Sequence, residues 1–383
     1  MPKEFERAYG FDEIALAPSS RTLDPDIVDI SAKIGPISLS IPIIGSAMDS
    51  VVSPETAILL GKAGSLGILN LEGVQTRYDD PTEILDKISS VSKKDYVPFM
   101  QSIYQENKVR DDLVSLRIKT IKDAGVQAVI SSTPQSAQRL GPIAAAAGAD
   151  AFLIQSTVVS THFKGKTDHQ VLDVAAFCKE LPIPVMVGNS ATYEVTLDLM
   201  RTGVDAVFVG IGPGAACTTR GVLGIGIPMA TSVAEAAAAR ATYFNESGRY
   251  VSVISDGGIV VSGDICKALG VGADAVMIGS PLAKATEAPG KGFHWGMATP
   301  NAVLPRGSRI EVGTIAPLQQ ILFGPSTSDD GSQNLSGAIR TCMATIGAET
   351  IADMHESKVL IAPSLLTEGK VYQKAQSLGM FKG

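Results

Sequence analysis

The residues most suited to chemistry lie in Gly212-Pro213-Gly214-Ala215-Ala216-Cys217-Thr218-Thr219-Arg220, a glycine-rich stretch that follows an apolar run. A cysteine attacks as its thiolate, and a nearby cation or the amides opening a helical turn favour that form. Arg220 and the turn after Cys217 offer both. The plain alternative for any cysteine is a small packed hydrophobe. That reading fits Cys178, Cys266 and Cys342, each on an apolar helical face. Cys217 departs from it by sitting in a loop after a strand, which makes it the candidate nucleophile.

Two further glycine-rich segments, Asp256-Gly257-Gly258 and Gly279-Ser280, also end apolar runs. Glycines let backbone amides approach a phosphate closely. An ionised Asp256 carboxylate only accepts hydrogen bonds, which suits a ribose diol; the alternative is a helix N-cap. Ser46-Ala47-Met48-Asp49 and Gly188-Asn189 close two other apolar runs. Of the four histidines, His162 and His169 fall in a polar loop, and His294 and His355 in irregular or helix-end contexts. None pairs at a metal-ligand spacing. They read as surface or structural residues, with His294 the one nearest the site. No C-x-x-C pair suggests a zinc knuckle.

These segments need elements to position them. A helix ending in glycine, a short connection and an apolar strand recur at 124–130, 147–154, 202–209 and 271–278. Glycine suits the left-handed position just past a helix. Near-continuous apolar runs suit strands buried on both faces. Candidate strands are 41–48, 66–70, 128–132, 151–155, 185–189, 206–211, 251–255 and 275–279. Eight strands alternating with helices predict an α/β fold, a closed (β/α)8 TIM barrel, with functional groups at the C-terminal strand ends. An open doubly wound sheet would call for an early G-x-G-x-x-G turn, and there is none. Residues 97–103 could form a further strand. Residues 71–124 interrupt the alternation, with helical patterns at 83–90 and 113–124. Residues 290–336 read as a long irregular segment of the kind that carries function in a barrel. The expected organisation is one catalytic domain over 1–383.

The 383 residues carry a formal charge of -7, which argues against nucleic acid or an anionic membrane as partner. A small anion remains compatible, since backbone amides bind phosphate without net positive charge. No run of about 18 apolar residues suggests a membrane span. With no secretory pattern visible and thiols read as reduced, the expectation is a cytoplasmic protein.

Together these residues resemble the IMP dehydrogenase / GMP reductase family, closest to its short cyanobacterial branch without the regulatory CBS pair. The likeness rests on Tyr9-Gly10-Phe11-Asp12-Glu13-Ile14, Ser46-Ala47-Met48-Asp49, the Cys217 loop, Asp256-Gly257-Gly258-Ile259, Gly279-Ser280 and Gly296-Met297. The Cys217 loop is the most specific of these, and the likeness spans nearly the whole chain. It implies oxidation of inosine 5'-monophosphate to xanthosine 5'-monophosphate with NAD, through a thioimidate on Cys217. The same residues would serve GMP reductase, which converts GMP to IMP with NADPH. By this resemblance Thr219 stands beside the reacting carbon and Asp256 holds the ribose. Ser46, Gly258, Gly279 and Ser280 take the phosphate side, and Met48, Asn189, Gly296 and Met297 frame the base. Gln155 and Gly210 face the nicotinamide cofactor. Carbonyls of Gly212, Gly214 and Cys217 hold a potassium ion, completed by Glu368 and Gly369 of a neighbouring subunit. A homotetramer, or an octamer built from it, follows.

Several positions depart from the family pattern. Residues 71–124 are too few for the CBS insert. Ala215 replaces the serine expected two before the nucleophile, and Gln155 an aspartate. Ten residues separate Gly296 from Gly307, so the flap is short. It lacks a clear counterpart of the Arg-Tyr pair that activates water, and Arg306 stands where a glutamate is usual. Arg306 is the candidate water-activating base. Two rival readings are a catalytically silent purine-nucleotide-binding protein and a flavin barrel using the Gly279-Ser280 loop. The flavin barrel would leave Cys217 without a role.

Overall fold

Each of the eight barrel runs is apolar on both faces of the pleat, and that double burial closes the sheet. The structure is a computed structural model that describes residues 4–164, 171–363 and 368–381; His169 and Thr367 lie outside them. The barrel strands are β1 (Ile43–Gly45), β2 (Leu66–Asn70), β3 (Val129–Ser132), β4 (Ala151–Gln155), β5 (Val185–Ser190), β6 (Ala206–Val209), β7 (Ser252–Asp256) and β8 (Ala275–Ile278). Each pairs in parallel with the next, and β8 pairs with β1 through Val276 opposite Ile43, so the barrel is closed. All eight candidate strands are present, with ends shifted by a few residues.

Side chains alternate between the two cores. Ile44, Ile68, Val129, Leu153, Met186, Phe208, Ile254 and Met277 fill the barrel interior. Their neighbours Ile43, Leu69, Ile130, Phe152, Val187, Val207, Val253 and Val276 pack outward against the helices. Each such side chain stabilises the fold by about 1.5–3 kcal/mol. A hairpin of Ala32–Ile34 and Ile37–Leu39 also packs Ile34, Ile37 and Leu39 into the interior cluster. The recurring glycines do what their position asks: Gly125, Gly148, Gly203 and Gly272 take φ of 76°, 89°, 97° and 114° after their helices.

Residues 71–124 hold three helices: α1 (Pro81–Ser90), α2 (Tyr96–Glu106) and α3 (Asp111–Asp123). Helices α1 and α3 match the two expected from the pattern. Helix α2 overturns the strand expected at 97–103. Its buried residues Tyr96, Met100, Ile103 and Tyr104 recur at a helical spacing and make one apolar face. Pro98 sits in the first turn, where a missing amide costs no intrahelical bond. With Leu85, Ile88 and Val74, that face covers the fully buried Trp295.

The segment after β8 is more ordered than its composition suggests. It contains an antiparallel pair, β9 (Phe293–Trp295) and β10 (Arg309–Glu311), followed by a helix at Leu318–Phe323. Arg309 bonds the carbonyls of Ile88, Ser89 and Val91 at the end of α1 and stacks on Tyr96 and Phe293. It ties the helical excursion to the strand pair that carries the flap.

Candidate active site

Cys217 follows β6 through Gly212-Pro213-Gly214. Its amide donates to the Gly214 carbonyl at 2.9 Å, a tight turn that presents the thiol ahead of the short helix Thr219–Leu223. The thiol is half-buried, and its Sγ donates to Oγ1 of the fully buried Thr219 at 3.1 Å. Arg220 does not take the place expected for it. Its guanidinium bonds the carbonyls of Ile211 at 3.3 Å and Ile227 at 2.8 Å. It braces the loop, because two fixed carbonyls orient a planar fork better than one polarisable sulfur.

The flap closes onto this loop. Thr218 N donates to Arg306 O at 2.9 Å and Ser308 N to Ala216 O at 2.8 Å, so Cys217 and Gly307 form an antiparallel bridge. Gly296 and Gly307 cross backbone to backbone, and Gly307 has no room for a side chain. A Cβ on Gly307 would stand 3.1 Å from the Gly296 Cα and 2.5 Å from Thr299 Oγ1. The flap tip turns on Asn301, whose Oδ1 accepts the amides of Val303 and Leu304 at 3.0 Å each. Half-buried Arg306 donates from Nη1 to Thr157 Oγ1 at 3.1 Å, reaching across to the end of β4.

A polar cluster spans the ends of β4, β5, β6 and β7. Asp256 Oδ2 accepts from Asn189 Nδ2 at 2.7 Å and from Gln155 Nε2 at 3.0 Å. Asn189 Nδ2 also donates to Gly210 O at 2.9 Å, and Gln155 Nε2 reaches Asn189 Oδ1 at 3.3 Å. Among the described residues nothing donates to Asp256 Oδ1. Burial pushes the Asp256 carboxyl up to about 6, against the pull of the Asn189 and Gln155 bonds. The N-cap alternative for Asp256 does not hold, since the next helix begins at Ser262 after Val261. Gly210 is buried, with Asp256 O and Met229 packed against its Cα.

Ser46, Gly258, Gly279 and Ser280 come from β1, β7 and β8, which are neighbours in the barrel. Ser46 N donates to Ile278 O at 3.1 Å and Gly257 N to Met277 O at 3.1 Å, tying the three strand ends together. Met48 and Met297 are half-buried near Asp49 and Tyr104, with Met297 Sδ 3.9 Å from Tyr104 Oη. Tyr104 donates a short hydrogen bond to Asp49 Oδ2, which also accepts Val74 N at 3.0 Å. Burial pushes Asp49 up to about 6, partly offset by those two donors and by Arg77. Burial and the adjacent Asp49 carboxyl push the Tyr104 phenol well above its ordinary range. Tyr104 lies just past the 97–103 stretch, and no motif in the sequence marks it; only the helix places it beside Asp49.

His294 is 3% exposed and sits on β9 against Gly279, whereas its sequence context read as irregular. His162 is exposed, 3.6 Å from Asp198. His355 Nε2 bonds Ala273 O at 2.9 Å, at the opposite end of β8 from Gly279. Cys178 and Cys342 are half-buried and Cys266 is buried, on helices Val174–Glu180, Leu335–Ile346 and Ser262–Gly270.

At the positions where the resemblance leads one to expect potassium, the Gly214 carbonyl is taken by the Cys217 amide. Those of Gly212 and Cys217 accept no hydrogen bond among the described residues. Neutral carbonyls of this kind suit a monovalent cation; a divalent one favours carboxylates. Glu368 and Gly369 are exposed on the C-terminal segment.

A family model for the IMP dehydrogenase / GMP reductase domain matches residues 8–301. The chain belongs to the IMP dehydrogenase / GMP reductase family. The matched residues include Cys217, Thr219, Asn189, Asp256 and Met297, but stop short of Arg306. An uncharacterized oxidoreductase of Mycolicibacterium smegmatis is 39% identical over 91% of this chain and 94% of its own length. The inosine-5'-monophosphate dehydrogenase of Methanocaldococcus jannaschii is 27% identical over 94% of each. The crystal structure of an IMP dehydrogenase/GMP reductase-like protein from Corynebacterium glutamicum superposes with a TM-score of 0.88 at 33% identity, covering 94% of this chain and 96% of that one. Like other members of the IMP dehydrogenase / GMP reductase family, the chain is thus an oxidoreductase-type barrel. Among its described residues no helix is long and apolar enough to cross a membrane.

Proposed function

We propose that the protein oxidises IMP to XMP with NAD through a covalent adduct on Cys217, a step of guanine nucleotide synthesis. The observation that carries this reading is the pairing of Cys217 with Thr219 Oγ1 at the barrel mouth. Around that pair stand a carboxylate fixed for a ribose and a bridged flap.

Cys217 Sγ, as thiolate, adds to C2 of the hypoxanthine ring. The hydrogen on C2 leaves with its electron pair as hydride, for which a bound NAD would supply the acceptor. The ring is left as a thioimidate on Cys217. Water then adds to C2 and the C–S bond breaks, restoring the thiolate and releasing XMP. Thr219 Oγ1 holds the thiol and orients it toward the ring. Arg306, tethered by Thr157, donates to the attacking water and positions it, and the water gives its proton to bulk solvent as the C–O bond forms. Asp256 accepts from the ribose hydroxyls through its open Oδ1, while Asn189 and Gln155 keep the carboxylate in place. Ser46, Gly258, Gly279 and Ser280 bind the phosphate, and Met48, Gly296 and Met297 line the base.

Gln155 donates from Nε2 to Asp256 and Asn189 and accepts nothing at Oε1 among the described residues. That oxygen fits a ribose hydroxyl of the cofactor. Gly210 contributes through Asn189, whose amide its carbonyl holds. Carbonyls of Gly212, Gly214 and Cys217 would hold potassium. Exposed Glu368 and Gly369 would complete that site from another copy, which makes a homotetramer the working assembly.

The test is spectrophotometric. IMP and NAD in potassium buffer should yield reduced nicotinamide, and Cys217→Ala should abolish the signal. Oxidation of NADPH by GMP alone would instead assign the reductase, and silence in both reactions a binding protein without turnover.

A further inference from the structure

The flap is held from two sides, and the side away from Cys217 is incompletely bonded. Helix α2 reaches it at two points besides the Tyr104–Met297 contact. At the surface Gln101 Nε2 donates to Asn301 O at 3.3 Å, near the flap tip. In the interior Tyr96, 4% exposed, meets Thr299, which is fully buried at the base of the flap. Arg309 fixes Tyr96, with its guanidinium 5.1 Å from the ring centroid.

The Tyr96 and Thr299 hydroxyls stand close together without bonding. Burial pushes the Tyr96 phenol up to about 12, partly offset by the adjacent Thr299 hydroxyl and by Arg309. Yet neither Tyr96 Oη nor Thr299 Oγ1 has a hydrogen-bond partner among the described residues. The third unpartnered group of this cluster, Trp295 Nε1, faces Tyr104 Oη instead. Two buried hydroxyls that sit near each other unbonded are the kind of pair that native structures satisfy with an ordered water. Each hydroxyl can donate or accept, and water offers two of each.

We propose that one water molecule sits between Tyr96 Oη and Thr299 Oγ1, and that through it α2 latches the flap over Cys217. Tyr96 is then a positioning residue. The path from the water to the thiol is short. Thr299 Oγ1 lies against Gly307, where an added Cβ would come within 2.5 Å of it. Gly307 pairs with Cys217, and the pair is closed by Thr218 N on Arg306 O and Ser308 N on Ala216 O. A bridging water holds two groups nearly as well as a direct hydrogen bond. Losing it frees the base of the flap, so the bridge to Cys217 opens more often. The latch involves no ligand, so it holds for any substrate.

Alkylation of the full-length, ligand-free chain by iodoacetamide, followed by peptide mass spectrometry, reads the latch at Cys217. Tyr96→Phe and Thr299→Val each remove one hydroxyl. Each should speed Cys217 labelling by about 3- to 10-fold, as expected for a lost buried hydrogen bond. Labelling of Cys178, Cys266 and Cys342 should stay unchanged, which a general loosening of the fold would not reproduce. The double variant should label no faster than either single one, because both hydroxyls hold the same water. Thr299→Ser restores a hydroxyl and should label at the wild-type rate. The two Thr299 variants carry the test if Tyr96→Phe fails to fold. Equal Cys217 labelling in wild type and the folded single variants overturns the latch, as does an acceleration shared by all four cysteines. Additive effects in the double variant, or a crystal structure of the wild type with no water between the two hydroxyls, overturn the water.

Discussion

Cys217 Sγ lies 3.1 Å from Thr219 Oγ1, the two held on one loop whose turn is set by the Cys217 amide on the Gly214 carbonyl. The threonine is buried and the thiol half-buried, so the hydroxyl is a fixed partner behind a partly accessible nucleophile. Thr219→Val keeps the shape and removes the hydroxyl. It should lower kcat by about 10²-fold, in the range of a lost positioned proton-handling group. Cys217→Ser should lose more, at least about 10³-fold, because an alkoxide is far harder to form than a thiolate. Steady-state rates with IMP and NAD check both.

Arg306 and Thr157 are joined at 3.1 Å across the mouth. If this tether aims water at the adduct, Arg306→Ala should slow hydrolysis more than hydride loss. Rapid-quench analysis would show a burst of reduced nicotinamide followed by a steady rate about 10- to 100-fold below wild type. Thr157→Val should give a milder version of the same pattern. A loss of burst and steady rate together would place Arg306 in substrate binding instead.

Asp256 is raised to about 6. A carboxyl whose folded pKa exceeds its unfolded value of about 3.9 stabilises the fold below pH 4, and that contribution is lost as pH rises through about 6. Asp256→Asn should therefore raise the Tm of the ligand-free protein at pH 7–8 and leave it unchanged near pH 4. The gain should be on the order of 1–2 kcal/mol, discounted because the residue is partly exposed. Binding should move oppositely, with nucleotide affinity in wild type falling below about pH 6 and Asp256→Asn showing little pH response there.

Tyr104 gives buried Asp49 its short hydrogen bond and touches Met297. Tyr104→Phe leaves the carboxyl with the Val74 amide as its remaining hydrogen-bond donor. The expected cost is about 1–3 kcal/mol, read by urea unfolding at pH 7, and smaller near pH 4 where Asp49 is protonated. A matching rise in KM for IMP would show that α2 supports the base-facing Met297.

The barrel was legible because every strand is buried on both faces and so reads as an unbroken apolar run, as at 206–211. That the Cys217 loop, Asp256 and the glycine pairs lie at strand ends was legible because each directly closes or follows an apolar run. The 97–103 stretch misled because valine, phenylalanine and isoleucine suit strands, while what decides its helix is the cover it gives Trp295, a distant residue. Arg220 misled for a different reason: the loop folds back so that the nearby carbonyls of Ile211 and Ile227, on either side of it in sequence, claim its guanidinium. His294 was legible only as near the site. Its orientation depends on Ser50, some 244 residues away, and on the pairing of β9 with β10.

The central claim is a covalent bond between Cys217 and the purine, and acid-quench mass spectrometry of the peptide containing Cys217 tests it directly. After brief incubation with IMP and NAD, the account predicts that this peptide gains the mass of the oxidised nucleotide, and that the gain requires both reactants and accumulates further in Arg306→Ala. An unmodified Cys217 peptide from an enzyme that is turning over would contradict it.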